Sequence, residues 1–386
     1  MRSVYLDYNG SGPLDPRVAE IMVPILMEGI GNASSVHRFG RRQSVATDEA
    51  REYIAAMVGG RASSVVFTAG ATESNNLALR GVVEGAAVGR PRVLISAVEH
   101  ASVRQTARWL DEHGLIELSV IPVTKGGFVD LDALESMIDT DVLLVSVMAA
   151  NSETGILNPV EMIAERAHAV GALLHCDATQ SAGRLPFEFE RIGVDLVSLS
   201  SHKICGPTGV GALVGTRRGL RRLRPIIHGG GHEHGLRSGS LNVAGIVGFG
   251  AAARIATEER TSESARVAEA RDRLTSALKS RLSGVHEVGD VARRLPNTAN
   301  VRFEGADAEA VAANMDPVAV STGSACGSGS IEPSEVLLAM GIPRESAFES
   351  VRFSLGRFTT TEDIDLAVES AVTAVEHVRS MARRIA

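Results

Sequence analysis

The 386-residue sequence predicts an α/β fold: a large domain with a largely parallel sheet covered by helices on both faces, and a smaller α+β domain packed against it. Three observations carry that expectation. Short apolar runs at Val65–Phe67, Val93–Ile95, Val142–Val147, Ala172–His175 and Asp195–Leu199 alternate with helix-patterned segments. Polar and titratable residues recur just after these runs. From about Glu259 the pattern changes to a long charged amphipathic helix, strands near Asn300–Phe303 and Val351–Ser354, and a final helix from Glu362 to about Arg379. The expected division is 15–258 for the large domain, with 1–14 and 259–386 forming the small one.

After a short extended start, Asp15-Pro16 supplies an N-cap and a proline at the first helical position, opening a helix toward Gly29. Gly31 to His37 is small and polar and reads as a loop, and a helix follows from about Gln43 to Met57. Ligands of open parallel sheets bind beyond the carboxyl ends of the strands. There the sequence places Thr68 to Glu73, Glu99-His100, Asn151-Ser152-Glu153, Asp177 with Gln180, and Ser200 to Lys203.

Only three of the 39 basic residues are lysines, so a lysine with covalent chemistry is quickly sought. Lys125 lies in the turn Thr124 to Gly127, and Lys279 sits among charged neighbours on the helix-patterned Ala265–Leu282. Lys203 alone comes straight off a buried strand, beside hydroxyls and a histidine, where a lysine is either paired or functional. Gly70-Ala71-Thr72 forms a turn of small residues at a helix start, which suits a phosphate. It has neither the P-loop lysine nor the spacing of a dinucleotide fingerprint. Asp177, at a strand end, either caps the next turn or meets a protonated ring nitrogen. Together the lysine, the phosphate cradle, the carboxylate and His100 are the parts that pyridoxal phosphate requires.

Two further stretches matter. His228 to His234 holds three histidines without the spacing of a zinc module, and reads as a glycine-rich loop reaching a neighbouring surface. Cys326 lies in Ser321 to Ser330, a run of small residues that reads as an exposed loop from about 321 to 333. A thiol there oxidises readily, which favours a nucleophile over a neutral surface residue.

Composition narrows the function class. With 44% hydrophobic and 22% charged residues the chain is an ordinary globular one, and no segment approaches a membrane span. An acidic residue, Asp7, precedes any signal-peptide core, so a cytoplasmic location is expected. Cys176, Cys205 and Cys326 have no paired spacing, and neither a disulfide framework nor a metal site is expected. The net charge of -7 argues against direct nucleic-acid binding. Arg217, Arg218, Arg221, Arg222 and Arg224 form a local exception, either a solvated helical turn or a docking patch for an acidic partner.

With these residues in place the chain resembles the cysteine desulfurases, class-V aminotransferase-like enzymes of the fold-type I pyridoxal-phosphate group. The agreement runs nearly end to end: Tyr5-Leu6-Asp7, Asn32 to Gly40, Phe67 to Leu77, Glu99-His100, Glu153 to Gly155, His175 to Gln180, Ser200 to Gly206, His228 to Ser240, Ser324-Ala325-Cys326 with Glu332-Pro333-Ser334, and Val351 to Arg357. The resemblance implies a mainly parallel seven-stranded sheet and a homodimer. It implies that Lys203 forms the Schiff base and shuttles protons, that His100 stacks on the ring, that Asp177 holds the ring nitrogen and that Gln180 bonds the phenolic oxygen. Ala71, Thr72, Ser200, His202 and the partner subunit's Ser240 would hold the phosphate. Arg352 would grip the carboxylate of L-cysteine. Cys326 would take the sulfur as a persulfide, releasing L-alanine, and the loop's length matches the class that hands sulfur to acceptor proteins in iron-sulfur cluster assembly or nucleic-acid thiolation.

Three departures from the family pattern stand out. Asn9-Gly10-Ser11-Gly12-Pro13 replaces the usual Ala-Thr-Thr-Pro, and Ser240 replaces a threonine. Ser152 stands where a second asparagine usually meets the cofactor, so its hydroxyl, a water or Asn151 takes that contact. The competing readings are a selenocysteine lyase or an aminotransferase of the same fold, and a cofactor-binding scaffold that organises partners.

Overall fold

Period-two burial explains the large sheet. Val65 and Phe67 enter one core cluster while Val66 enters another on the opposite face, and Leu94 is separated from Val93 and Ile95, Val145 from Leu144, and Leu174 from Leu173 in the same way. A sheet apolar on both faces needs helices on both sides. The computed structural model describes residues 3–86, 91–323 and 332–385. Cys326 and most of its loop lie outside them.

The chain enters through β1 (Val4–Tyr5) and α1 (Pro16–Glu28), where the Asp15 carboxylate accepts from the Arg17 N–H at 3.0 Å. The next helix, α2 (Arg38–Met57), starts at Arg38 rather than near Gln43, because His37 Nδ1 accepts from the Gly40 N–H and caps it. There follow β2 (Val65–Thr68), α3 (Ala71–Glu84), β3 (Arg92–Ser96), α4 (Ala101–Glu112), β4 (Glu117–Ile121), α5 (Leu131–Met137), β5 (Val142–Ser146), α6 (Val160–Ala169), β6 (Leu173–Asp177), β7 (Leu196–Ser200), β8 (Gly211–Gly215) and α7 (Arg217–Arg222). The seven-stranded sheet has the order β2-β8-β7-β6-β5-β3-β4, and only β8 runs antiparallel to its neighbours. Edge strand β4 was not among the expected strands; it carries Leu118, Val120 and Ile121, of which only Ile121 is buried. All five arginines from Arg217 to Arg224 are exposed, which fits a solvated turn and a docking patch equally.

The 39-residue helix α8 (Val243–Arg281) corrects the expected helix Ala265–Leu282, which is only its second half. Its first half is rich in glycine and alanine and shows little sequence amphipathicity, yet it packs closely on α2. A Cβ on Gly250 would lie 2.5 Å from the Cα of Ala50. Ile246, Phe249 and Ala253 join the core under the large sheet, whereas Val267, Leu274 and Leu278 join a separate core with Val4 and Leu6. That second core is built from β9 (Val285–Glu287), β10 (Thr298–Phe303), α9 (Ala308–Ala313), β11 (Val318–Ala319), β13 (Ser350–Ser354) and α12 (Thr361–Ile385), with β12 (Ser321–Thr322) beside β13; α10 (Glu335–Ala339) and α11 (Arg344–Ala347) instead bury Val336, Leu337 and Ala347 in a small cluster with Val98, Val288 and Met340. The antiparallel sheet β12-β13-β10-β9 forms there, and β1 pairs with β11. No helix among the described residues is long and apolar enough to cross a membrane.

Candidate active site

A cavity of about 700 Å³ lies where the carboxyl ends of the parallel strands meet the edge of β13. Ala71, Thr72, His100, Ser152, Asp177, Gln180, Ser200, His202, Lys203 and Arg352 all line it. One end is a cradle. Gly70 caps α3 with φ 153°, a backbone conformation open to glycine, and no side chain caps the helix start. The strand β8 passes so close that a Cβ on Gly211 would meet the Gly70 Cα at 2.6 Å. The Ser200 hydroxyl pairs with His202 Nδ1 at 3.0 Å on the same side, and burial, with the charge of Lys203 and Arg184, pushes His202 down to about 4. A neutral imidazole, two hydroxyls and an uncapped helix N-terminus suit a phosphate.

The amine end is equally specific. Lys203 Nζ donates to the carbonyls of Asn9 and Gly10, 2.5 Å from each. Burial, reinforced by the charges of Arg184 and Arg352, pushes Lys203 down to about 8, so much of it is neutral in mildly alkaline solution. Asp177 is 5% exposed and accepts from Asn75 Nδ2 (2.8 Å) and from the Thr179 N–H (3.0 Å). Among the described residues no side-chain cation pairs with it. A buried carboxylate bound only by neutral donors leaves a place for a cationic partner, such as a ring N–H. His100 caps α4, its Nδ1 accepting from the Ser102 N–H at 3.1 Å, and burial lowers its pKa.

Arg352 reaches the cavity from β13. Its guanidinium donates to the Ser152 carbonyl (3.0 Å) and to Asp7 Oδ1 (2.6 Å), while the buried Nε has no partner among the described residues. Ser152 rather than Asn151 faces the cavity. Asn151 is spent on structure: Oδ1 accepts from the N–H groups of Glu153 and Thr154, and Nδ2 donates to the Val98 carbonyl. Gln180 Nε2 donates to the Asn9 carbonyl and its Oε1 accepts from Arg184. Ser240 is exposed and lines a different hollow with Arg237, Leu241 and Asn242.

The Aminotransferase class-V family model matches residues 4–367. A cysteine desulfurase of Frankia sp. (strain EuIK1) is 46% identical over 98% of this chain and 93% of its own. The chain belongs to the cysteine desulfurase family. Another member, the cysteine desulfurase IscS of Anaeromyxobacter sp. (strain Fw109-5), is 45% identical over 98% of this chain and 94% of that one. Among solved structures a NifS-like protein superposes with a TM-score of 0.91 at 35% identity, covering 97% of this chain and all of the other. Desulfurases of this family use pyridoxal phosphate in general.

Sequence reasoning assigned no role to Asn9, Asn75 or Thr179, although Asn9 stood in a stretch that departs from the desulfurase pattern. Nor did it single out the Glu99 carboxyl, which is 1% exposed. Its Oε1 accepts from Ser96 Oγ and the Met148 N–H, and its Oε2 has no hydrogen-bond partner among the described residues. Burial, with the charge of Asp177, pushes Glu99 up to about 8 against these bonds. The folded protein therefore holds a proton that the unfolded chain releases near 4.5, so stability falls as the pH rises from about 4.5 and the loss is complete once the pH passes about 8. Relative to the parent, Glu99→Gln is expected to gain stability from about pH 4.5 to about pH 8 and to level off beyond. Denaturant midpoints measured across that range check it.

Proposed function

We propose that the chain removes sulfur from L-cysteine with pyridoxal phosphate held in this cavity, leaving L-alanine and a persulfide on Cys326. The observation that carries the reading is the buried Asp177 carboxylate, without a cationic partner among the described residues, in one cavity with an easily deprotonated Lys203. The donor set fits the cofactor: the start of α3 with Thr72, Ser200 and His202 for the phosphate, Asp177 for the ring nitrogen, and Gln180 and Ser152 for the remaining polar edge. When bound, it supplies a carbonyl for an amine and a ring that accepts electrons from the substrate's Cα.

The residues of this chain do the rest. Arg352 binds the substrate carboxylate, exchanging Asp7 for it. Lys203 Nζ takes and returns the Cα proton. His100, held neutral, is available as a second proton acceptor. The Cys326 thiolate attacks the substrate sulfur; an S–S bond forms, the C–S bond breaks, and its electron pair returns to the carbon skeleton, which gains a proton to become alanine. The two other thiols are unsuited, because burial pushes Cys205 up to about 11 and Cys176 well above its ordinary value.

The working unit is a homodimer, in keeping with the exposed Ser240 outside its own subunit's cavity and with exposed Leu26, Met27, Ile30 and Val36. The enzyme works in the cytoplasm and passes its sulfur to an acceptor protein of iron-sulfur assembly or nucleic-acid thiolation. Cys326→Ala tests the proposal. It is expected to keep the cofactor's visible absorption while sulfide release in reductant falls by about 10²-fold or more. Unchanged release would refute the assigned nucleophile.

A further inference from the structure

Asn9 lies in the turn between β1 and α1, is 2% exposed, and engages every hydrogen-bonding group it owns. Its N–H donates to Ser354 Oγ (3.0 Å), its Nδ2 to Thr298 Oγ1 (2.9 Å), and its Oδ1 accepts from Asn297 Nδ2 (3.0 Å). These partners belong to β13, to β10 and to the residue before β10. The remaining bonds run to strand ends of the large sheet. Nδ2 also donates to the Ser152 carbonyl (3.0 Å), and the Asn9 carbonyl accepts from Gln180 Nε2 (3.0 Å) and Lys203 Nζ. One side chain and its peptide thus tie the small sheet to the residues around the amine.

The Ser152 carbonyl is the decisive partner. Arg352, two positions before Ser354 on β13, donates to that same oxygen from Nη1 at 3.0 Å. We propose that Asn9 is a positioning residue that sets Arg352 against Lys203 and so fixes where the substrate's carboxylate is gripped. This rests on the reading of Arg352 given above. Without the amide, the Ser152 carbonyl keeps one donor, Arg352, instead of two, and the turn loses its bond to Thr298 of β10.

The test uses the holoenzyme and L-alanine as a thiol-free probe, its binding read from the visible absorption, beside steady-state rates with L-cysteine. Asn9→Ala is expected to weaken L-alanine binding and raise KM by about tenfold each, with kcat within about threefold of the parent. Asn9→Asp keeps the acceptor for Asn297 and the backbone bonds but lacks the donor to Ser152; it serves if the alanine variant folds poorly, and the same shift is expected. In an Arg352→Lys background, which itself weakens binding, Asn9→Ala should add little. Parental L-alanine affinity in both Asn9 variants, or full additivity with Arg352→Lys, would overturn the proposal. If Arg352→Lys alone binds L-alanine normally, the carboxylate grip assigned to Arg352 fails instead.

Discussion

Lys203→Ala is expected to lower L-cysteine turnover by at least about 10³-fold, the largest effect of any single substitution in the cavity. No other amine can replace it: Lys125 lies in an exposed turn and Lys279 is paired with Glu287 at 2.6 Å. The variant also deletes a charge that lies in the cavity with Asp177 and Arg352, so its fold should survive. Rapid-mixing assays of alanine formation measure the loss. Borohydride treatment followed by peptide mapping should find the pyridoxyl group on Lys203 in the parent and nowhere specific in the variant. Alanine formation within tenfold of the parent would remove Lys203 from the chemistry.

Asp177→Asn should cost about 10²- to 10³-fold in kcat and weaken cofactor retention, because the amide offers no charge to a protonated ring nitrogen. The geometry isolates this effect. The substituted side chain can still accept the Thr179 N–H at Oδ1, while the position facing Asn75 Nδ2 becomes a donor meeting a donor. An accompanying loss of stability is therefore expected, and Asn75→Asp combined with Asp177→Asn restores a donor–acceptor pair there without restoring the charge at 177. If the double variant recovers stability but not turnover, the charge itself is what matters. Recovery of both would reduce Asp177 to a structural role.

Much of this site was legible because its parts follow strand ends, and a run such as Asp195–Leu199 announces both the strand and the residues after it. Ala71, His100, Asp177, Gln180 and Lys203 follow that rule and meet in one cavity. What escaped notice depended on pairing across long sequence separations. Asn9 meets Thr298 and Ser152, and Arg352 shares an acceptor with it; no local pattern encodes such meetings. Strand β4 was missed although Leu118, Val120 and Ile121 are apolar, and the first half of α8 because its close packing needs glycine and alanine, which weaken the helical pattern. The choice between Asn151 and Ser152 needed the turn geometry, which consumes the amide.

The unbroken helix α8 has a mechanical consequence. At about 58 Å it is a single keel laid through both lobes, and every turn of its backbone hydrogen bonding resists bending. Lobe rotation, the usual way for a two-part enzyme to adjust its bite, would have to bend that keel. In the proposed reaction, the span between the amine and the guanidinium would thus be braced by one continuous helix.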